Sequence, residues 1–524
     1  MTKNLTWVLV LGGAAGLLAG CLSSRPLDRK VEQTVKQKAA MEPAVGTSTL
    51  EDALGPPGVA GEVGASIDLD LNAALRVACE HSRDLQTRRD TLYRSGLSLL
   101  RARHAFGVEL SGTLDYVFAR DQAGDQTDGA TLTAGAGRVL PTGGKVTFSG
   151  QSALAGRSGT NGTEDSYASS LTLKLEQPLL AGAGYEASHE SLTRAERGLL
   201  YAVREFALAR ADFAIDILKQ YYALLLQRTV LENTRMTVKQ ASMLRARSEA
   251  MFKVGRAPAI DVLRAQQQEL TSSNQLAQAE ADFDVQQRRF VLALGLPVQT
   301  QLSLAGSIPE RRAVHADESS CVAEALAKRV DLKTVRDEVE DARRRLRVAR
   351  SQGLPELSAF GQMDLSSDGA ERFSDQTLDD SYTAGLTLKL PLDKRLERYS
   401  IKEAHLDVGA AERQLQQKED EVRLEARDNF TRLGFLANSV EIERRNIDIA
   451  EKRARNALQR FKSGELLNRD VVEAENELLS ARNASVSVLE QYEIQRVELL
   501  RNAGQLEVAR DGTLVEAGAV RQDE

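Results

Sequence analysis

Aromatic residues make up only 5% of this 524-residue chain, and its one tryptophan, Trp7, falls within the first twenty positions. Large rings fill the deep cores of compact domains. Their scarcity beside 27% charged residues points instead to long, solvent-decorated helices. Cations are also in deficit: a formal charge of -7 and a pI near 5.6 argue against a nucleic-acid partner, which needs clustered basic groups. The five histidines, His81, His104, His189, His315 and His405, show no metal-ligand spacing, and the six methionines do not cluster. No metal site is expected from that pattern. The stretch ending Gly143-Gly144-Lys145 fails as a phosphate loop, because Val139 stands at the first glycine position and Val146 at the Ser/Thr position. No nucleophile motif and no convergent acid–base set follow from spacing, so neither an enzyme nor a cofactor is expected.

Long apolar runs are missing too. The longest, Leu5–Leu18, is too short to span a bilayer. It follows Lys3 and ends in Leu18-Ala19-Gly20-Cys21, a pattern of positive start, apolar run and small residues that reads as a targeting segment. The ending resembles a bacterial lipobox, in which the leader is cut before the cysteine and the thiol takes a lipid; an ordinary secretory signal is the alternative. Leu22, not Asp, follows Cys21, which in bacterial lipoproteins favours the outer membrane. Cys79 and Cys321 then remain in an oxidising compartment that permits a disulfide, and spacing leaves open whether they pair.

Proline is missing where it matters. Residues 186–254 contain no Pro and only Gly198, and residues 393–463 contain no Pro and only Gly409 and Gly434. Each run read as a single helix would extend on the order of 100 Å. Each ends in a similar turn: residues 252–265 read FKVGRAPAIDVLRA and residues 461–474 read FKSGELLNRDVVEA. Phe252, Lys253, Gly255, Asp261, Val262 and Ala265 recur as Phe461, Lys462, Gly464, Asp470, Val471 and Ala474, and the register continues to Gly295 and Gly504. This is an internal duplication, and each copy is a glycine-permitted turn between two amphipathic helices.

The organisation follows from it. Residues 1–20 form the leader, and residues 21–66, mixed in Pro, Gly, Ser and charge, read as an extended tether. The first repeat spans 67–303, a linker 304–318, the second repeat 319–508, and a tail 509–524. Each repeat reads helix, strands, long helix, helix. Leu69 to about Ala105 is helical, with Asp70 or Asn72 as cap, and 319–352 does the same in the second repeat. The strands alternate with period two, clearest in Leu171-Thr172-Leu173-Lys174-Leu175 and Leu386-Thr387-Leu388-Lys389-Leu390, one face leucine and the other polar. Earlier strands begin at Glu109 and Glu356. The first repeat carries about thirty additional residues, in which 131–140 and 145–154 alternate weakly around the turn Pro141-Thr142-Gly143-Gly144. Two or four strands cannot close a barrel, and lipid tolerates no open edge, so closure requires several chains.

These features together resemble the TolC-like outer-membrane efflux proteins, in the lipoprotein branch, over about residues 67–506. The two repeats carry the resemblance, with Leu175-Glu176-Gln177-Pro178-Leu179 after the alternating strand, the Pro-free helices, and the Phe-Lys-x-Gly turn followed by Asp-Val. The resemblance implies an α+β membrane protein. It would be a homotrimeric twelve-stranded outer-membrane β-barrel, continuous with a long periplasmic α-helical barrel, embedded in outer-membrane lipid. Its function would be that of a passive channel in tripartite efflux or type I secretion, opened by a periplasmic adaptor protein and an inner-membrane transporter. The extra hairpin would either join the sheet, giving six strands per chain, or fold over an opening. A lipid-anchored structural or adhesive coiled coil is the competing reading, but it has no use for duplicated alternating strands.

Carried over residue by residue, Val254, Gly255 and Arg256, with Ser463, Gly464 and Glu465, match the turns that adaptors contact. Asp261 and Asp470 match acidic positions near the periplasmic entrance, and Glu473 lies three residues after Asp470 on the same helical face. Two carboxylates about 8 Å apart repel by roughly 2 kcal/mol at an effective dielectric near 20, so closed rings of such acids would need cations or partial protonation to relieve them. Where the family's best-known closed-state lock uses Tyr and Arg, this chain has Phe461 and Leu466, and closure there rests on packing. The two copies also differ at Glu473, whose counterpart is Arg264, so an ionic gate would be asymmetric.

Overall fold

A computed structural model of the protein describes residues 25–40, 66–120, 126–159, 162–255, 258–312, 317–370, 379–463, 465–509 and 512–516. Cys21, Arg256 and Gly464 lie outside them. The chain divides into two compact units, one built mainly from residues 92–203 and 334–416, the other mainly from residues 204–333 and 417–524. No helix among the described residues is long and apolar enough to cross a membrane.

The first unit holds a six-stranded antiparallel sheet in the order β2-β3-β4-β5-β7-β8. Its strands are β2 (Glu109–Arg120), β3 (Gln126–Val139), β4 (Lys145–Gly159), β5 (Gly162–Pro178), β7 (Glu356–Ala370) and β8 (Asp379–Lys389); β1 (Ser66–Leu69) and β6 (Gln301–Leu304) form a separate parallel pair in the second unit. The hairpin left open by sequence is therefore part of the sheet: β3 and β4 insert between β2 and β5. The sheet is not closed, with β2 and β8 as its edges.

Apart from the four-residue helix Tyr185–Ser188, the helices of the described residues lie in runs free of proline, except for Pro26 in the first turn of the first of them. They are α1 (Arg25–Ala40), α2 (Leu71–His81), α3 (Arg83–His104), α4 (Glu190–Lys253), α5 (Ala259–Ala293), α6 (Glu318–Lys328), α7 (Val330–Gln352), α8 (Arg395–Ser463) and α9 (Asn468–Asn502). The long runs α4 and α8 are unbroken over 64 and 69 residues and contribute to both units.

Two expectations need correction. Part of the stretch read as an extended tether, Arg25–Ala40, is helical. The reason is local: Val31 and Val35, one turn apart, are fully buried against Gly96, where a Cβ would stand 2.7 Å from Val31 Cγ1. The helix expected from Leu69 to Ala105 is divided at Ser82, as its counterpart is at Arg329. The cause is a close backbone approach in the second unit. Gly295, at φ +81°, sits where a Cβ would be 2.1 Å from the His81 carbonyl oxygen, and Gly504, at φ +68°, lies similarly against Lys328. Only glycine fits there.

The second unit's core is built from small residues at coiled-coil spacing. Ala450, Ala454, Ala457 and Phe461 on α8 meet Val471, Ala474, Leu478 and Ala481 on α9, an alternation of three- and four-residue steps that lets helix axes approach closely. Asn233 of α4 donates to Asn483 of α9 at 2.8 Å, a polar pair that pins their register. Cys79 and Cys321 are both buried, and no disulfide joins them.

Candidate functional site

The first candidate is the sheet. Its register places one residue from every strand in a single transverse row: Leu110, Ala136, Phe148, Leu173, Met363 and Tyr382. The neighbouring row is Ser111, Gly135, Ser149, Thr172, Asp364 and Ser381. Because side chains alternate across a sheet, one face is apolar over all six strands and the other is polar. On the apolar face Leu110 is 81% exposed at the β2 edge and Tyr382 71% exposed at the β8 edge, and Leu132, Phe148 and Leu173 on the strands between them are exposed as well, an arrangement that water does not favour. On the polar face Thr172 donates to Asp364 at 2.7 Å, and Gln362 donates to the same carboxylate. An apolar outside and a hydrogen-bonded inside are what a membrane-spanning strand needs.

The second candidate is the pair of helix turns in the second unit. Val254 is exposed and Gly255 adopts φ +73°, the left-handed conformation that ends α4. At the other turn, Ser463 Oγ donates to the Glu465 carboxylate and to the Arg460 carbonyl, both at 3.0 Å. Arg460 Nε reaches the same carboxylate at 3.1 Å, and this pairing holds the Glu465 pKa below its usual range. Phe461 is buried with the Arg247 guanidinium 5.7 Å from its ring centre, whereas Phe252 is 47% exposed. Leu466 packs on the same cluster as Phe461. A cavity of about 450 Å³ lies beside it, lined by residues including Met243, Leu244, Val471 and Glu475; burial raises the Glu475 pKa.

The three acids do not share one environment. Asp261 is buried in the first turn of α5, with Arg264 at 3.7 Å. Asp470 accepts the Leu467 backbone N–H at 3.2 Å, so its carboxylate caps α9, and Arg469 stands 3.7 Å away. Glu473 is more than half exposed and faces Arg453 of α8 at 3.7 Å. One residue that sequence reading missed does join the two turns. Asn468, fully buried at the start of α9, donates its amide to the Asp261 carbonyl oxygen at 3.0 Å. The signal was present in the repeat alignment, where Asn468 stands opposite Ala259.

Deeper in the second unit, Arg329 is nearly buried and bonds Asp331 at 2.7 Å and Glu425, while Lys418 reaches Asp331 at 3.1 Å. Burial opposes ionisation of Asp331, but the two cations outweigh it and hold its pKa far below the usual carboxylate range. No group of three or more His, Cys, Asp or Glu side chains among the described residues is arranged to hold a metal.

Comparison with known proteins agrees with this geometry. Residues 321–505 match the sequence model of the outer membrane efflux protein family. No curated protein matches the chain by sequence. Among solved structures, the outer-membrane channel OprN aligns with a TM-score of 0.64 at 16% identity, over 83% of this chain and 89% of its own. VceC, an outer membrane protein of Vibrio cholerae, aligns at 0.63 with 16% identity over 83% and 96%. The CmeC outer membrane channel of Campylobacter jejuni aligns at 0.64 with 14% identity over 89% and 92%. The resemblance to TolC-like outer-membrane efflux proteins thus holds on two grounds, the family's sequence pattern in residues 321–505 and the channel fold across more than four fifths of the chain. OprN and CmeC are outer-membrane channels, not enzymes.

Proposed function

We propose that this protein is the outer-membrane channel of a tripartite efflux or type I secretion system. In this reading it is a homotrimer of chains with duplicated halves, 67–303 and 319–508, joined by 304–318 and followed by the tail 509–524. The leader 1–20 is removed, Cys21 carries lipid, and residues 21–66, including α1, connect that anchor to the body. The sheet spans the outer membrane and the helices continue into the periplasm.

The observation that carries the reading is the two-faced open sheet. Six strands with an apolar face and two bare edges are unstable in lipid as a single chain, because edge N–H and C=O groups stay unpaired. Every pairing in the sheet is antiparallel and the strand number is even, so β8 of one copy runs antiparallel to β2 of the next and three copies can close a ring. The channel is passive; the turns at Val254–Arg256 and Ser463–Glu465 meet the periplasmic adaptor, which opens them together with the inner-membrane transporter. Of the three acids, Asp470 and Glu473 line the constriction that opens, while the buried Asp261 stays within the chain beside Arg264. Outer-membrane fractionation tests the reading: a heat-modifiable trimer retained in the outer membrane supports it. Release as a peripheral protein once the lipid is removed would favour the lipid-anchored coiled coil instead.

A further inference from the structure

The β3–β4 hairpin has no counterpart in the second half of the sheet, where β7 is followed directly by β8. We infer that this hairpin is a fixed stave of the membrane wall that widens the outer-membrane pore, and that Gln177 is the residue positioning it. The inference rests on the channel reading above.

Three observations exclude a hairpin folded over an opening. First, β3 is paired with β4 along its whole length, from Gln126 to Val139, and with β2 from Gln126 to Gly137, while β4 is paired with β5 from Lys145 to Gly159. Second, the hairpin continues both faces of the sheet, placing Leu132 and Phe148 on the apolar side and Thr133 and Ser149 on the polar side. A plug would have no reason to keep a lipid-facing side. Third, its turn is clasped from outside the hairpin. The Gln177 amide donates to the Thr142 carbonyl oxygen at 3.1 Å, Thr142 Oγ1 donates back to Gln177 Oε1 at 2.6 Å, and the Gly184 N–H donates to Thr142 O at 3.0 Å. Gly143, at φ +89°, lies where a Cβ would be 2.8 Å from the Gly182 carbonyl oxygen. The turn therefore has no freedom to swing.

The consequence is geometric. A barrel with strands about 4.8 Å apart and tilted about 40° has a backbone radius near 12 Å with twelve strands and near 18 Å with eighteen. The inserted strands face the polar side with small residues, including Gly135, Gly137, Ser149 and Ala153, so they add width without refilling it. The outer-membrane section then admits bulky hydrated solutes, roughly 25 Å across, where four strands per chain would admit roughly 14 Å.

The test is a strand count on the intact trimer in lipid nanodiscs by electron cryomicroscopy, paired with polymer exclusion measured from the extracellular side. Eighteen strands, with polyethylene glycols of about 20 Å diameter entering the mouth, is the expected result. A twelve-stranded wall with the hairpin inside the lumen would overturn the inference while leaving the channel reading standing. An assembly that is not a trimer would overturn both. Gln177→Ala supplies a second arm on the same preparation: with eighteen strands retained, its hairpin amides should lose at least tenfold hydrogen-exchange protection at Thr142–Gly144, while those of β7 and β8 do not change. Unchanged protection at the turn would remove Gln177 from its positioning role.

Discussion

The buried amide of Asn468 is bonded to the backbone carbonyl of Asp261, 3.0 Å away and 207 residues earlier in the chain. That single contact joins the starts of α5 and α9, the two helices that follow the turns. Asn468→Ala removes the cross-helix hydrogen bond to the Asp261 carbonyl, which α5 itself still engages, at a cost of about 0.5–1.5 kcal/mol. In the channel this should raise spontaneous opening, read as more frequent conducting events in planar bilayers and as greater sensitivity of cells to large antibiotics. Unchanged gating would reduce the contact to packing within one chain.

The acids at the turns make a separable prediction. Asp470 caps its helix through the Leu467 N–H, so Asp470→Asn keeps a polar cap while removing charge. The double variant Asp470→Asn, Glu473→Gln should lower cation selectivity at least twofold in reversal-potential measurements with little loss of thermal stability. If selectivity is the same as in the parent, these acids serve only their local partners, the helix end and Arg453.

Acid sensitivity should centre on Asp331. Its folded pKa is depressed, so the stabilisation is complete above the ordinary aspartate value of 3.8 and is lost as pH falls below that toward the depressed value. Asp331→Asn leaves the nearly buried Arg329 with Glu425 alone and should cost about 2 kcal/mol at neutral pH. Thermal melts between pH 7 and pH 3 should show a shallower acid-side decline in the variant than in the parent. Parallel profiles would mean that other carboxylates govern the acid limb.

At Gly96 the space is already taken, since a Cβ there would meet Val31 at 2.7 Å. Gly96→Leu should displace α1, so that trypsin cuts at the already exposed Arg29 and Lys30 faster while the rest of the protein resists. Equal cleavage rates in parent and variant would show that α1 does not depend on this contact.

Much of the fold was legible because its periodicities are clean. Leu171-Thr172-Leu173-Lys174-Leu175 reads as a two-faced strand, and two Pro-free runs read as the unbroken α4 and α8. The missed features come from tertiary contacts that leave no local mark. The break at Ser82 has no proline or glycine of its own and is imposed by Gly295, more than 200 residues away. The helix α1 carries only Leu27, Val31 and Val35 as large aliphatic residues in a polar stretch. At the turns, sequence identified the acids but not their partners, because Asn468 and Arg453 reach them across helices. The repeat alignment held a usable clue at Asn468, where the two copies diverge.

The central claim is that three copies of this chain form one membrane channel. Planar-bilayer recording of the purified, detergent-extracted trimer tests it most directly: discrete, reproducible conductance steps are expected, rare in the parent and frequent in Asn468→Ala. A trimer that inserts into the bilayer and never conducts, in the parent or in the variant, would contradict it.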